Sequence, residues 1–335
     1  MKSSKTSAYQ GKRRRVLLLA GAFAAAALPG VGALAETAWP TRPVTIIVPF
    51  TPGTGIDVLA RTIGQKLSQR VGQPVIVDNK PGASGNIGTG AVANAAPDGH
   101  TLLMTVSTFV MNPNLFKNVP YDPVKSFAPV APTATGAQVF VVNPSFPAKT
   151  LAEAVKVFKA NPGKYVYASP GNGTPPHLAM ELFKLNTGTD VMHVPYKGSA
   201  SAITDLLSGE VHAMILPVNA ALGHAKAGKI RMLGVAREKR LAVAPDVPTF
   251  VEQGLPDTDV DLWFGLLAPA GTPAAVIGKI NKEVNQILAM PDVRETLDKQ
   301  GLVPSPGRPE DLGNLVKNDL LRWADVIRKA KIAAD

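Results

Sequence analysis

The chain has no cysteine among its 335 residues, which excludes a disulfide framework, a thiolate metal site and a cysteine nucleophile. Aromatic residues make up only 6% of it, and no long run of like charge follows the basic start. A nucleic-acid surface therefore has little to stand on. Gly-Lys-Ser/Thr occurs nowhere, so a Walker phosphate loop is absent, and neither Gly-x-Ser-x-Gly nor His-Glu-x-x-His is present. Acidic residues are missing from the first 35 positions, where Lys2, Lys5, Lys12, Arg13, Arg14 and Arg15 precede an apolar run from Val16 to about Leu28. That run is too short for a membrane span, which needs about 20 apolar residues. With Ala33-Leu34-Ala35 before Glu36, it reads as a cleavable export signal over 1–35. The signal holds six of the 35 basic residues and none of the 25 acidic ones, so the +10 net charge falls to 29 against 25, or +4, after cleavage. The basicity belongs mostly to the export segment.

What is present beyond Glu36 is alternation. Short β-branched runs at Val44–Val48, Val75–Val77, Leu102–Val106, Val139–Val142, Tyr165–Ala168, Met192–Tyr196, His212–Leu216, Arg231–Ala236 and Trp263–Ala268 read as strands. Between and after them, helical patterns fall at Ile56–Arg70, Gly85–Ala95, Leu151–Ala160, Pro175–Thr187, Ser199–Leu207, Asn219–Ala227, Pro273–Met290 and Asp311–Lys331. Strand–helix alternation predicts an α/β fold with parallel sheets and helices on both faces. Proline-rich stretches at Pro120–Pro132 and Pro245–Pro256 bracket a segment with strand–helix units of its own. Two lobes follow, one from 36–137 with 260–335 and the other from 138–259.

The loops carry the chemistry. "PFTPGTGID" (Pro49–Asp57) joins the first strand to the first helix, with Gly53 and Gly55 free to take unusual dihedrals. The helix start supplies unpaired N–H donors to an anion. The dinucleotide fingerprint fails because Val58 stands at the third glycine position. "SPGNGTPPHL" (Ser169–Leu178) repeats the arrangement, with Thr174 as a capping hydroxyl and Pro175-Pro176 opening a helix. Two further loops, Pro81–Gly88 with Ser84 and Pro195–Ser201 with Tyr196 and Ser199, also precede helices. None of the four contains arginine, and their nearby cations are Lys80 and Lys197. Recognition by backbone N–H groups and hydroxyls suits a small carboxylate better than a polyphosphate. His177 and Glu181, four apart on one helix, form too small a set for a metal and read as a solvated pair. Trp263 and Phe264 read as core.

Taken together, "WPTRPVTIIVPFTPGTGIDVLAR", "VDNKPGASGNIGTGAVANAAPDGHTLL", "YASPGNGTPPHLAMELF", "HVPYKGSASAITDLLSGEVHAMI" and "LWFGLLAPAGTP" closely resemble the Bug-type periplasmic substrate-binding proteins of tripartite tricarboxylate transporters. The resemblance runs through the whole chain after the export segment, in order. It implies a type II periplasmic-binding-protein fold, two α/β lobes joined by crossing strands with a ligand cleft between them. It also implies a monomeric, non-enzymatic receptor that needs no cofactor or metal and passes a small carboxylate to membrane permease subunits. Position by position, the resemblance places one grip on Phe50, Thr51, Gly53, Thr54 and Asp57. It places the other on Ser169, Gly171, Asn172, Gly173, Thr174 and His177, with weaker transfers to Ser84, Ser107, Tyr196 and Asp205. Two positions depart from the family pattern: Thr54, where many members have glycine, and His100, where many have tyrosine. A hydrolase or isomerase on the same fold, or a partner that presents ligand to a sensor kinase, stays open beside the transport reading.

Overall fold

The computed structural model describes residues 39–255, 260, 262–329 and 332; the export segment and its cleavage site lie outside them. Strand β1 (Val44–Val48) is almost wholly buried and lies between β2 (Val75–Asn79) and β3 (Thr101–Val106), parallel to both. Helix α1 (Gly55–Val71) covers it with Ile56, Leu59, Ala60, Ile63 and Leu67, the spacing of one helical face. The helix ends at Gly72, whose φ of 71° makes it a left-handed cap donating to the Ser68 carbonyl. After α2 (Asn86–Ala93) and the single-turn α3 (Thr108–Met111), strand β4 (Phe127–Gly136) completes this first pass.

The chain then changes sheets. One residue, Ala137, separates β4 from β5 (Gln138–Val142), which belongs to a second sheet. That sheet is built from α4 (Leu151–Ala160), β6 (Val166–Ser169), α5 (Pro175–Thr187), β7 (Met192–Pro195), α6 (Ser199–Ser208), β8 (Ala213–Pro217), α7 (Val218–Lys226) and β9 (Arg231–Val235). The chain returns through β10 (Leu262–Pro269) and ends with α8 (Ala274–Leu288), α9 (Pro291–Lys299), β11 (Leu302–Pro304) and α10 (Pro309–Lys329). The strand orders are β11-β4-β10-β3-β1-β2 and β7-β6-β8-β5-β9. From Trp39 onward the chain forms one compact unit. The two crossings run side by side: the Gln138 Nε2 donates to the Val260 carbonyl at 3.2 Å, and Leu262 pairs with Gly136.

These sheets are mixed rather than parallel. β10 runs antiparallel to β3 and β4, and β5 antiparallel to β8 and β9; β4 carries the chain out of the first sheet and β10 brings it back, so these two neighbours run in opposite senses. β4 is hidden in the sequence by its prolines, which read as a boundary. Pro129 and Pro132 pair with Leu267 and Gly265 at register shifts, and β11 covers β4 only from Ala134 to Gly136. The prolines thus sit at bulges on a free edge, where a missing N–H costs little. Helix α9 also escapes the periodicity; only Val293 and Leu297 of it are buried, an apolar signal too thin to stand out. Strand alternation separates the two aromatic neighbours on β10. Trp263 turns into the core, where its Nε1 donates to Asp319 Oδ2 of α10 at 2.6 Å. Phe264 turns the other way.

Candidate functional site

Two strand–loop–helix corners, one from each sheet, share a single construction. β1 leads to α1 and β6 to α5, and each helix is preceded by a threonine in extended conformation: Thr54 with φ −73° and ψ 160°, Thr174 with φ −73° and ψ 154°. Neither hydroxyl caps its helix, contrary to the role expected of Thr174. Each turns back three residues instead. Thr54 Oγ1 donates to the Thr51 carbonyl at 2.9 Å, and Thr174 Oγ1 to the Gly171 carbonyl at 2.7 Å. A side chain one helical turn on then holds each glycine. The Gly53 N–H donates to Asp57 Oδ2 at 2.9 Å, and the Gly173 N–H to His177 Nδ1 at 3.0 Å. Both glycines take positive φ, 83° and 72°, which a side chain would resist. At α1 the first-turn N–H groups that lack an intrahelical acceptor can serve an incoming anion. At α5, Pro175 and Pro176 carry no N–H, and the Thr174 N–H donates to the Gly171 carbonyl at 3.4 Å. That corner therefore offers its helix dipole more than its donors.

Asp57 and His177 are therefore loop clamps. Burial pushes the Asp57 carboxyl up, but bonds from Arg61, Gly53 and Asn79 outweigh it and hold it below its ordinary value. His177 is lowered to about 4, first by burial and then by the Lys184 charge. Its ring stacks on His193, with centroids 4.1 Å apart. Glu181 accepts from the Tyr167 hydroxyl at 2.5 Å and from Lys184 at 2.8 Å. The solvated His177–Glu181 pair expected from spacing is thus corrected. Both side chains are turned into a packed polar network.

A pH dependence follows from the neutral imidazole. His177 binds a proton near pH 6.5 in the unfolded chain but only near pH 4 in the folded one. Its contribution is fully present above about pH 6.5 and is lost as pH falls toward 4, by about 3 kcal/mol in all. Urea unfolding at pH 7 and pH 4.5 is expected to show this loss, and His177→Asn to reduce it; the stacked His193, lowered to about 4 chiefly by burial, contributes in the same sense. A wild-type midpoint that stays constant across the window would contradict the assignment.

Between the two sheets lies a cavity of about 420 Å³. Thr108 at the start of the single-turn α3 lines it, and four of the longer helices start on it, with Thr54–Ile56 of α1, Thr174–Pro176 of α5, Ser199 of α6 and Val218–Ala220 of α7. Each brings the positive end of a helix dipole. No Asp, Glu, Lys, Arg or His is among its lining residues. Strand ends supply Val106, Gly136, Ala137, Leu262 and Phe264, and the turn Gln300–Leu302 closes one side.

Of the residues carried over by resemblance, Phe50, Thr54 and Thr174 line this cavity. Thr51, Gly53, Gly171 and Gly173 shape the two loops behind it. Ser169 is fully buried, its Oγ 2.7 Å from His193 Nε2 and accepting from the Gly171 N–H. Asn172 is half-buried in the same loop. Ser107 is buried just before Thr108, which does line the cavity, and Ser107 Oγ has no hydrogen-bond partner in the protein. Ser84 stands apart from the lining, with φ 53° and its carbonyl accepting from Asn112. Tyr196 donates to Asp205 Oδ2 at 2.5 Å; burial and then that carboxylate push the phenol up to about 12. The α7 start and the Gln300–Leu302 turn are not among the positions the sequence points to. The Leu216-Pro217-Val218-Asn219 corner has the same strand-to-helix form as the others but no glycine, so a glycine-led search passes over it.

Among the described residues no helix is long and apolar enough to cross a membrane, and no group of three His, Asp or Glu could hold a metal. Residues 59–332 match the family described as the tripartite tricarboxylate transporter family receptor. The protein BugT of Bordetella pertussis is 36% identical over 317 residues, 94% of this chain and 97% of BugT. Two solved structures are similar throughout. Rpa4515 of R. palustris with adipate has 35% identity and a TM-score of 0.81, covering 89% of this chain and all of that one. MatC (Rpa3494) from Rhodopseudomonas palustris with bound malate has 33% identity and a TM-score of 0.76, covering 86% and all of that chain.

Proposed function

This chain belongs to the receptors of the tripartite tricarboxylate transporter family, and on that footing we propose that it captures a small carboxylate between its two lobes in the periplasm and delivers it to membrane permease subunits. The observation that carries the reading is the convergence of four helix starts on a cavity without a charged side chain. Such a site favours an anion through fixed dipoles, with N–H donors foremost at the α1 start, since α5 opens with two prolines and the Val218 N–H of α7 is taken by the Ala137 carbonyl. The adipate and malate in the two similar structures support a carboxylate as that anion. The lobes are 36–137 with 260–335 and 138–259, hinged where β4 meets β5 and where the chain returns into β10. Export by the cleaved 1–35 segment delivers the protein to that compartment.

The same geometry supports binding without turnover. Ser169 and His193 are the nucleophile and base nearest the cleft, at 2.7 Å, but Ser169 is fully buried. A substrate carbonyl cannot reach it without dismantling the loop. A thermal-shift screen of the purified protein against a carboxylate library tests the reading. A ligand at about 100 times its Kd adds roughly 2.7 kcal/mol of stability, a clear rise in Tm. Chemical conversion of a screened acid, abolished by Ser169→Ala, would replace the receptor reading with an enzymatic one.

A further inference from the structure

The corner between β1 and α1 is held from behind by a ring of three side chains. Asp57 Oδ2 accepts from the Gly53 N–H and, at 3.0 Å, from Arg61 Nε, while Asp57 Oδ1 accepts from Asn79 Nδ2 at 2.9 Å. Asn79, the last residue of β2, also donates through Nδ2 to the Phe50 carbonyl at 3.1 Å. Its Oδ1 accepts from Arg61 Nη2 at 2.8 Å, which closes the ring. The loop is thus pinned at both ends, at Phe50 and at Gly53, while Thr51, Pro52 and Gly53 are exposed and have little packing to hold them. Resting on the carboxylate reading above, we propose that Arg61 and Asn79 are positioning residues for the ligand. They fix the loop so that the first-turn N–H groups of α1 point at the anion, and they do so without touching it.

An Asp–Arg pair four apart on a helix is ordinarily an exposed and weak contact. Here the Asp57 side chain is only 4% exposed, and a buried carboxylate needs its donors. Neither Arg61 nor Asn79 lines the cavity between the sheets. Arg61 opens instead on a separate hollow beside Val75 and Val77. The second corner is supported in the same manner. Ser169 Oγ, which accepts from the Gly171 N–H, lies 2.7 Å from His193 Nε2 of β7. β7 runs parallel beside β6 as β2 runs parallel beside β1, so in each sheet the neighbouring strand supplies the support. A loop that leaves its competent geometry weakens every ligand by the same factor, because the competent fraction belongs to the protein.

Calorimetry with adipate and with malate, together with amide hydrogen exchange at Gly53 in the free protein, tests the inference. Asn79→Leu and Arg61→Met are each expected to weaken binding about tenfold or more, equally for both acids. Exchange at Gly53 is expected to quicken about tenfold in both variants. Arg61→Lys keeps a cation beside Asp57 but not the fork, and should retain part of the affinity. Asn79→Asp adds a readout that lost stability alone would not move. It sets an oxygen where Nδ2 donates to Asp57, and two carboxylates in contact take up a proton at higher pH than either alone. Arg61 is the cation that acts on Asp57, and Lys80 is turned to Asp78 at 3.5 Å. Affinity of Asn79→Asp, relative to the unmodified protein at the same pH, should therefore rise about threefold or more from pH 8 to pH 5. Affinities within about twofold of the unmodified protein in both Asn79→Leu and Arg61→Met overturn the inference. A loss confined to one acid, or one in Asn79→Asp that stays constant with pH, overturns it as well. Binding of neither acid by the unmodified protein counts against the carboxylate reading. Exchange at Gly53 then decides the inference: unchanged exchange in the variants overturns it, and faster exchange upholds it.

Discussion

Gly301→Ala is expected to weaken carboxylate binding about a hundredfold and to leave the protein open when ligand is added. Gly301 stands at φ +64° in the turn before β11, and a Cβ on it would fall 2.2 Å from Val218 Cγ1 at the start of α7. These residues belong to different sheets and meet only across the cleft. Dispersion contacts become steeply repulsive at that distance, and a packed interface yields little. The left-handed dihedral costs any side chain about 1–2 kcal/mol in the open and closed forms alike, so it lowers stability rather than affinity. A loss of about 2.7 kcal/mol in binding corresponds to the hundredfold change. Small-angle scattering should show the radius of gyration falling on saturation in the unmodified protein, as rigid lobes close about a hinge. In Gly301→Ala it should not fall. The clash has one identifiable partner, so Gly301→Ala with Val218→Ala should recover part of the affinity, an interaction energy readable from the double-mutant cycle. Normal affinity and closure in the single variant would show that the cleft does not shut through this contact.

Thr54→Pro is expected to lose ten- to a hundredfold in affinity while Thr54→Ala keeps most of it. The argument starts from the backbone. Thr54 has φ −73°, within the range that proline imposes, so the substitution removes the N–H without redirecting the chain. A hydrogen bond to a charged group is worth about 1.5–3 kcal/mol, which sets the range in Kd. The hydroxyl is occupied by the Thr51 carbonyl, so Thr54→Ala removes a bond within the loop and none to the ligand. Proline also restricts Gly53 before it. The melting temperature without ligand separates a distorted loop from a lost donor. Lys80→Ala and Lys197→Ala should cost less than Thr54→Pro, because neither lysine lines the cavity. Abolished binding in the lysine variants, with Thr54→Pro binding normally, would mean that side-chain charge holds the anion.

Much of this protein is legible in its amino-acid sequence. The strand Val44–Val48 and the helices Leu151–Ala160 and Pro175–Thr187 appear with the bounds their periodicity predicts. Local signals set them: β-branched runs, Thr150 capping onto the Glu153 N–H, and prolines at a helix start. The two glycine corners are visible for the same reason, since φ values of +83° at Gly53 and +72° at Gly173 demand glycine locally. Even the lack of arginine in the loops is a property of composition, and it carries through to an uncharged cavity.

What the chain alone leaves open depends on segments far apart in sequence. Whether Trp263 or Phe264 lines the cavity is settled by the register of β10 against β3 and β4, because neighbouring strand residues point to opposite faces. Asp57 and His177 look like ligand contacts in a motif, yet the glycine N–H groups one turn back claim them. Prolines conceal β4 because their tolerance depends on which edge β11 leaves uncovered. Gln300 and Val218 join the site only when the two sheets meet across the cleft. Local dihedral preference and burial pattern thus determined the elements and the two glycine corners. Only tertiary packing decided which side chains line the cavity, because a face is defined by the partner it packs against.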